Sequence, residues 1–298
     1  MNRIAETTRP MLGSELVNGR SVRSTLEAAA VIGILSAVVF PAPAEAKVVE
    51  PVWVTKSVAA SPSQPKSITL RCPARAVALN GAAPNASSSI AVPDARRWSF
   101  RFTRSGSATL RCVRLRLPHN VDGINLRVGT TYEPVFEVPP GFTQEIELKC
   151  PTGQVPVGWG LERRTDDNGL SIVGAMPVGR GWSFAVKNTA AIGAAGSLSA
   201  RCLDKKQRAS TGQRHAFSTR VASFTDQFDG TRTTSHSCRA NEYSVATGVS
   251  LPATADVLFT GTDLTGERGA RWRFANPGGS TPVRTSLICL ARTTGFHR

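Results

Sequence analysis

Six cysteines, four histidines and two adjacent aspartates are the residues of this chain whose types and spacing could do chemistry. Cysteine serves as a nucleophile, a metal ligand or half of a disulfide. Cys72, Cys112, Cys150, Cys202, Cys238 and Cys289 contain no C-x-x-C pair, and His119, His215, His236 and His297 show no H-x-x-x-H spacing. A zinc site therefore has no ligand set to draw on, and no metal is expected. Asp166 and Asp167 are neighbouring carboxylates with weak calcium potential, but beside Asn168-Gly169 they read as a hairpin turn. Asp263 and Glu267 belong to a glycine-rich loop, "GTDLTGERG", and are expected to be solvated. No G-x-S-x-G elbow and no phosphate-binding loop is present. No cofactor is expected. For the cysteines, disulfides are the remaining chemistry.

The start of the chain gives them a compartment. Arg3, Arg9, Arg20 and Arg23 precede the apolar run Ala28–Phe40, and Ala44-Glu45-Ala46 follows as a small-x-small cleavage site. Residues 1–46 thus read as a signal peptide. The apolar run falls short of the roughly 20 residues that span a bilayer, and no later stretch supplies them. The expected location is secreted or cell-surface, with no membrane span after cleavage, and an even cysteine count in an exported chain points to disulfides.

Each cysteine couple encloses one Trp-x-Phe. Trp98-Ser99-Phe100 lies between Cys72 and Cys112, Trp182-Ser183-Phe184 between Cys150 and Cys202, and Trp272-Arg273-Phe274 between Cys238 and Cys289. The tryptophans are 84 and 90 residues apart, which marks a repeated structural unit. Seven residues past the first cysteine of each unit stands Leu79, Val157 or Val245, and glycine follows shortly at Gly81, at Gly158 and Gly160, and at Gly248. "WSFRF" and "WSFAV" alternate, so their large side chains share one face of a strand. Burying each contributes on the order of 2–3 kcal/mol, so Trp98, Phe100, Trp182, Phe184, Trp272 and Phe274 are read as core. No helical period is evident.

These patterns predict an all-β protein of three tandem small antiparallel β-sandwich modules, each with an internal disulfide. The expected pairs are Cys72–Cys112, Cys150–Cys202 and Cys238–Cys289, one of 15 possible connectivities. A disulfide closing a loop of about 40–50 residues adds on the order of 4 kcal/mol, which an 85-residue unit needs. The expected layout is a linker at 47–65, module 1 at 66–118, module 2 at 135–204 and module 3 at 222–298. The long joining segments contain "TYEPVFEV" and "RVASFTDQF", read as first strands of the units that follow. Tyr132, Phe136 and Phe142 are alternative groove residues.

The pattern resembles a bacterial exported or cell-surface β-repeat module. Its form begins Cys-Pro-x-Gly, passes through Gly-Trp-x-Phe/Val-x-Val-x-Asn and ends in a cysteine-bearing strand. "CPTGQVPVGWG", "GWSFAVKN" and "LSARC" carry the resemblance best; the first and third units depart from it. The resemblance implies a part of an envelope or secreted assembly and brings no catalytic residues.

Charge bears on partners. Lysine and arginine total 36 against 21 aspartates and glutamates, a net +15. Residues 1–46 hold four of each sign, so their removal leaves the excess intact. Such a surface favours polyanions. The tightest basic cluster is "DKKQR", and Lys205, Lys206, Arg208 and Arg214 are the expected contacts. Without a dense basic run, no specific nucleic acid is expected. The expected function is a non-catalytic protein that binds or scaffolds an anionic envelope polymer or a protein partner. The alternatives are a secreted hydrolase on polysaccharide or peptide, and a mechanical spacer or assembly subunit.

Overall fold

The computed structural model describes residues 48–116, 126–164, 169–208, 214–252, 257–275 and 280–297. The leader expected over 1–46, His119 and the Asp166–Asn168 turn lie outside them. Among the described residues all regular structure is β, as the alternating patterns require.

The chain runs through the same six-strand course three times. The first repeat has β1 (Val48–Val58), β2 (Lys66–Arg71), β3 (Val77–Ala82), β4 (Ala86–Ala91), β5 (Arg97–Phe102) and β6 (Gly106–Arg116). The second has β7 (Val128–Val138), β8 (Thr143–Lys149), β9 (Gln154–Arg163), β10 (Leu170–Val178), β11 (Gly181–Asn188) and β12 (Ala194–Asp204). Two short strands, β13 (Lys206–Arg208) and β14 (Arg214–Ala216), come next. The third repeat has β15 (Thr219–Phe228), β16 (Arg232–Ser237), β17 (Glu242–Ser250), β18 (Leu258–Thr265), β19 (Gly269–Ala275) and β20 (Thr281–Ala291), and β21 (Gly295–His297) ends the chain.

Pairing repeats with the chain. Within each repeat the last strand lies between the first and third (β1-β6-β3, β7-β12-β9, β15-β20-β17). The fifth lies between the second and fourth (β2-β5-β4, β8-β11-β10, β16-β19-β18). The segment 47–65 therefore contains a strand of the first repeat: β1 pairs along its whole length with β6, from Val48 opposite Arg116 to Val58 opposite Gly106. "TYEPVFEV" and "RVASFTDQF" fall in β7 and β15, the opening strands of the second and third repeats.

Disulfides join Cys72 to Cys112, Cys150 to Cys202 and Cys238 to Cys289, each within one repeat. Each ties the end of the second strand to the central sixth strand. Trp98, Trp182 and Trp272 are fully buried beside Phe100, Phe184 and Phe274.

The expectation of three separate sandwiches in a row needs correction. Strand β4 pairs with β9 at Ser89 opposite Leu161, and β10 pairs with β17 at Gly174 opposite Ser250. These joins make two six-stranded sheets that each draw on two repeats, leaving two three-stranded sheets from the first and third. The four larger sheets gather around a shared centre in a propeller-like arrangement. There β3, β9 and β17 touch one another, and Leu79, Val157 and Val245 lie in one apolar cluster. Trp182 and Trp272 belong to that cluster, whereas Trp98 heads a separate one in the first repeat. All described residues fall in one compact unit.

Glycine allows the join. A Cβ on Gly158 would sit 1.9 Å from the Leu79 carbonyl oxygen, and one on Gly160 2.2 Å from that of Ser89. No other residue lets the backbones of neighbouring repeats approach so closely.

Candidate functional site

Three places bear on function: the buried arginines that join repeats, an exposed basic sheet, and a cavity where all three repeats meet.

Arg111 and Arg201 each stand immediately before the second cysteine of their repeat, and both are almost wholly buried. Burial of an arginine requires carbonyl acceptors in place of water. Arg201 donates to Thr130 Oγ1 at 2.6 Å, and to the carbonyl oxygens of Arg97 at 3.0 Å and Val92 at 3.2 Å, in the turn between β4 and β5 of the first repeat. Arg111 donates to the carbonyl and hydroxyl oxygens of Ser244 and, at 2.9 Å, to the Gly266 carbonyl, all in the third repeat. Its guanidinium carbon lies 4.0 Å from the Trp53 ring centroid. Burial pulls Arg111 down to about 9 and Arg201 to about 10, so both are charged at neutral pH. The third repeat has Ile288 at this position. The arginines thus fasten the second repeat to the first and the first to the third. Val49 N, donating to the Arg292 carbonyl at 2.7 Å, adds a second link between the first and third.

The basic residues singled out in the sequence come together. Strands β13, β14 and β21 form a small three-stranded sheet. Arg208 lies opposite Arg214, Gln207 opposite His215, and Lys206 opposite Ala216. Gln207 and His215 are buried, so Lys206, Arg208 and Arg214 occupy the outer face, and all three are exposed. Lys205, also exposed, precedes the strand. Directly opposed residues in such a pair have Cβ atoms about 5 Å apart, where like charges repel. Among the described residues none of these four cations has an acidic partner.

The cavity, about 120 Å³ in volume, lies where β3 and β4, β9, and β17 and β18 converge. Gly81, Trp159 and Thr247 all line it, and each is nine residues past the first cysteine of its own repeat. Trp159 Nε1 donates to the Thr247 carbonyl at 2.6 Å. Arg163 donates through Nε to the Leu170 carbonyl at 2.8 Å, and its backbone N–H donates to Ser88 Oγ at 2.9 Å. The Asn80 side chain, on a residue only 3% exposed, has no hydrogen-bond partner among the described residues. Among the described residues no carboxylate lines the cavity.

Several carboxylates elsewhere are held by arginines. Glu242 accepts from Arg220 at 2.9 Å and 2.5 Å and from the Arg239 backbone N–H at 3.0 Å, and the Arg220 bond chiefly lowers its pKa. Asp263 pairs with Arg273, and Glu267 with Arg292 at 2.7 Å. Cys238, Glu242 and Cys289 cluster within ligand distance of one another, but the sulfurs are bonded to each other and the carboxylate is engaged. His236 Nε2 lies 2.8 Å from Asp226, with the ring stacked on Phe224 at 3.8 Å. His215 Nδ1 is 3.1 Å from Thr294 Oγ1. Tyr132 donates to the Ala91 carbonyl at 2.8 Å, Phe136 is buried and Phe142 is exposed, so the three form no common groove.

The cavity and the buried arginines were not among the sequence candidates. Both are built from residues contributed by different repeats. The signal that could have found the arginines is their shared place before a cysteine in the alternating strand. Three disulfides point to an oxidising environment outside the cytoplasm. No helix among the described residues is long and apolar enough to cross a membrane. A comparison of the chain with protein-family models and with curated proteins finds no match.

Proposed function

We propose that this is a secreted or cell-surface protein that binds an anionic polymer of the cell envelope without catalysis. In this reading the three disulfide-closed repeats act as one rigid platform. The observation that carries the proposal is the register of the small sheet. It sets Arg208 beside Arg214 and Lys206 on one exposed face, and among the described residues no carboxylate pairs with them. A phosphate-, sulfate- or carboxylate-bearing chain would relieve that repulsion, and the net charge of +15 would draw it in. The resemblance to exported β-repeat modules is consistent with this setting.

The test is binding of the full chain to immobilised heparin and to teichoic acid across a salt series. Affinity is expected to fall as salt rises, because exposed charge pairs are screened over about 10 Å at 0.1 M. The triple substitution Lys206→Ala, Arg208→Ala, Arg214→Ala should weaken binding at least tenfold. Binding indifferent to salt, or to that substitution, rejects the reading.

A further inference from the structure

The three repeats are joined differently at their three boundaries. Strand β4 pairs with β9 between the first and second, and β10 with β17 between the second and third. The equivalent pair between the third and first is β18 with β3, and among the described residues no backbone hydrogen bond joins them. Strand β18 lies against the turn after β3, where a Cβ on Gly261 would be 2.8 Å from Pro84 Cα. The cavity opens beside this unpaired boundary.

The residues facing it depart from the repeat. Eight positions past the first cysteine, the second and third repeats have Gly158 and Ala246; the first has Asn80. Asn80 is buried apart from what it shows to the cavity, and its amide is not sealed in the core, so its polar groups are open to a ligand there. Nine positions past, Gly81 and Thr247 accompany the half-buried Trp159. Phe259 supplies a second aromatic wall, and Thr260 stands exposed at the rim.

We infer that this cavity is a binding site for a single sugar ring. The free groups are an amide and hydroxyls: Asn80, the Thr260 hydroxyl and the Ser88 O–H, whose oxygen already accepts from Arg163. Groups that both donate and accept match a ligand whose own groups do the same. Aromatic walls with a few converging polar groups are the usual composition of a small-ligand site. Among the described residues no carboxylate lines the cavity and Arg163 does, which disfavours cations and metal ions. The volume is roughly ten times the smallest space that holds one water, and below the roughly 300 Å³ at which drug-sized pockets begin, so one ring is the fitting scale. Arg163 Nε and Nη1 are held by the Leu170 and Ser87 carbonyls, which leaves Nη2 at the wall to extend the fit to a ring carrying a carboxylate. The inference does not rest on the basic sheet.

The experiment is NMR titration of the isotope-labelled full chain with glucose, galactose, mannose, N-acetylglucosamine and glucuronate. The probes are the Trp159 indole N–H and the Asn80 side-chain amide. At least one sugar should shift both resonances saturably, with a millimolar dissociation constant. Glucuronate binding tighter than glucose would assign a role to Arg163. Asn80→Ala should weaken binding at least tenfold, and Thr260→Val, at an exposed position, should weaken it about threefold without disturbing the fold. The Lys206, Arg208 and Arg214 triple variant should bind the sugar unchanged, so failure here and failure of the polyanion reading are separable. If no sugar moves these resonances, or if both Asn80→Ala and Thr260→Val leave the shifts intact, the cavity holds water alone and the inference is overturned.

Discussion

Arg111 on β6 donates hydrogen bonds to both oxygens of Ser244 on β17, 133 residues further along the chain. The contact fastens the first repeat to the third, across the boundary where the strands themselves do not pair. Arg111→Ala would remove the donors to the buried Ser244 and the cation over Trp53. A loss of about 3 kcal/mol is expected in denaturant unfolding. Lysine should not restore it, since one ammonium cannot reach two separate acceptors as a planar fork does. Full stability in Arg111→Lys would refute this account of the boundary.

Gly158→Ala should be more damaging than its size suggests. The added methyl would meet the Leu79 carbonyl, and backbone cannot move aside as a side chain can. Loss of more than about 3 kcal/mol, or failure to fold, is expected. Gly193→Ala is the control: nothing lies within 4 Å of its Cβ position, so a change within about 0.5 kcal/mol is expected. Thermal melts of the two variants decide the matter.

Reduction should unfold the chain. The disulfides close loops of 40, 52 and 51 residues, each worth about 4 kcal/mol in the chain-entropy model. The folded protein should show no thiol reactivity, since no free cysteine is present among the six. Peptide mapping without reductant should recover three bridges, each within one repeat.

Acid should weaken the fold through Glu242. Its carboxylate is held below the ordinary value of 4.5, chiefly by the Arg220 hydrogen bond. A carboxylate lowered in the folded state stabilises above its unfolded pKa, and that contribution is lost as pH falls through the lower folded value. Stability should therefore decline as pH drops below about 4.5, with a shallower decline in Glu242→Gln. Equal acid slopes for the two proteins would show that Glu242 is not responsible.

The parts of this fold governed by short-range pattern were readable from the residues. Alternation places Trp98, Trp182 and Trp272 inward, and cysteine spacing brackets each repeat. The place of Leu79, Val157 and Val245 after the first cysteine marks what became the centre. What was not readable depends on how repeats meet. Gly158 and Gly160 look like turn punctuation until a neighbouring backbone occupies the space. Arg111 and Arg201 look like solvated charges, because their acceptors are backbone carbonyls, which leave no trace in composition. Residues 47–65 read as a linker because they precede the first cysteine, yet they contain strand β1, Val48–Val58. The basic residues around position 206 were legible as a cluster, but only strand register shows that three of them share a face.

The joining of the third repeat back to the first also limits how this protein can change. An open array lengthens by duplication, because one more unit adds one more interface and leaves the others alone. Here a fourth copy would have to enter between partners already in contact, such as Arg111 and Ser244, and every boundary would need a new angle. Adding a copy to the three described repeats would therefore disturb contacts that already exist. The repeats differ instead at single corresponding positions, as Asn80, Gly158 and Ala246 illustrate.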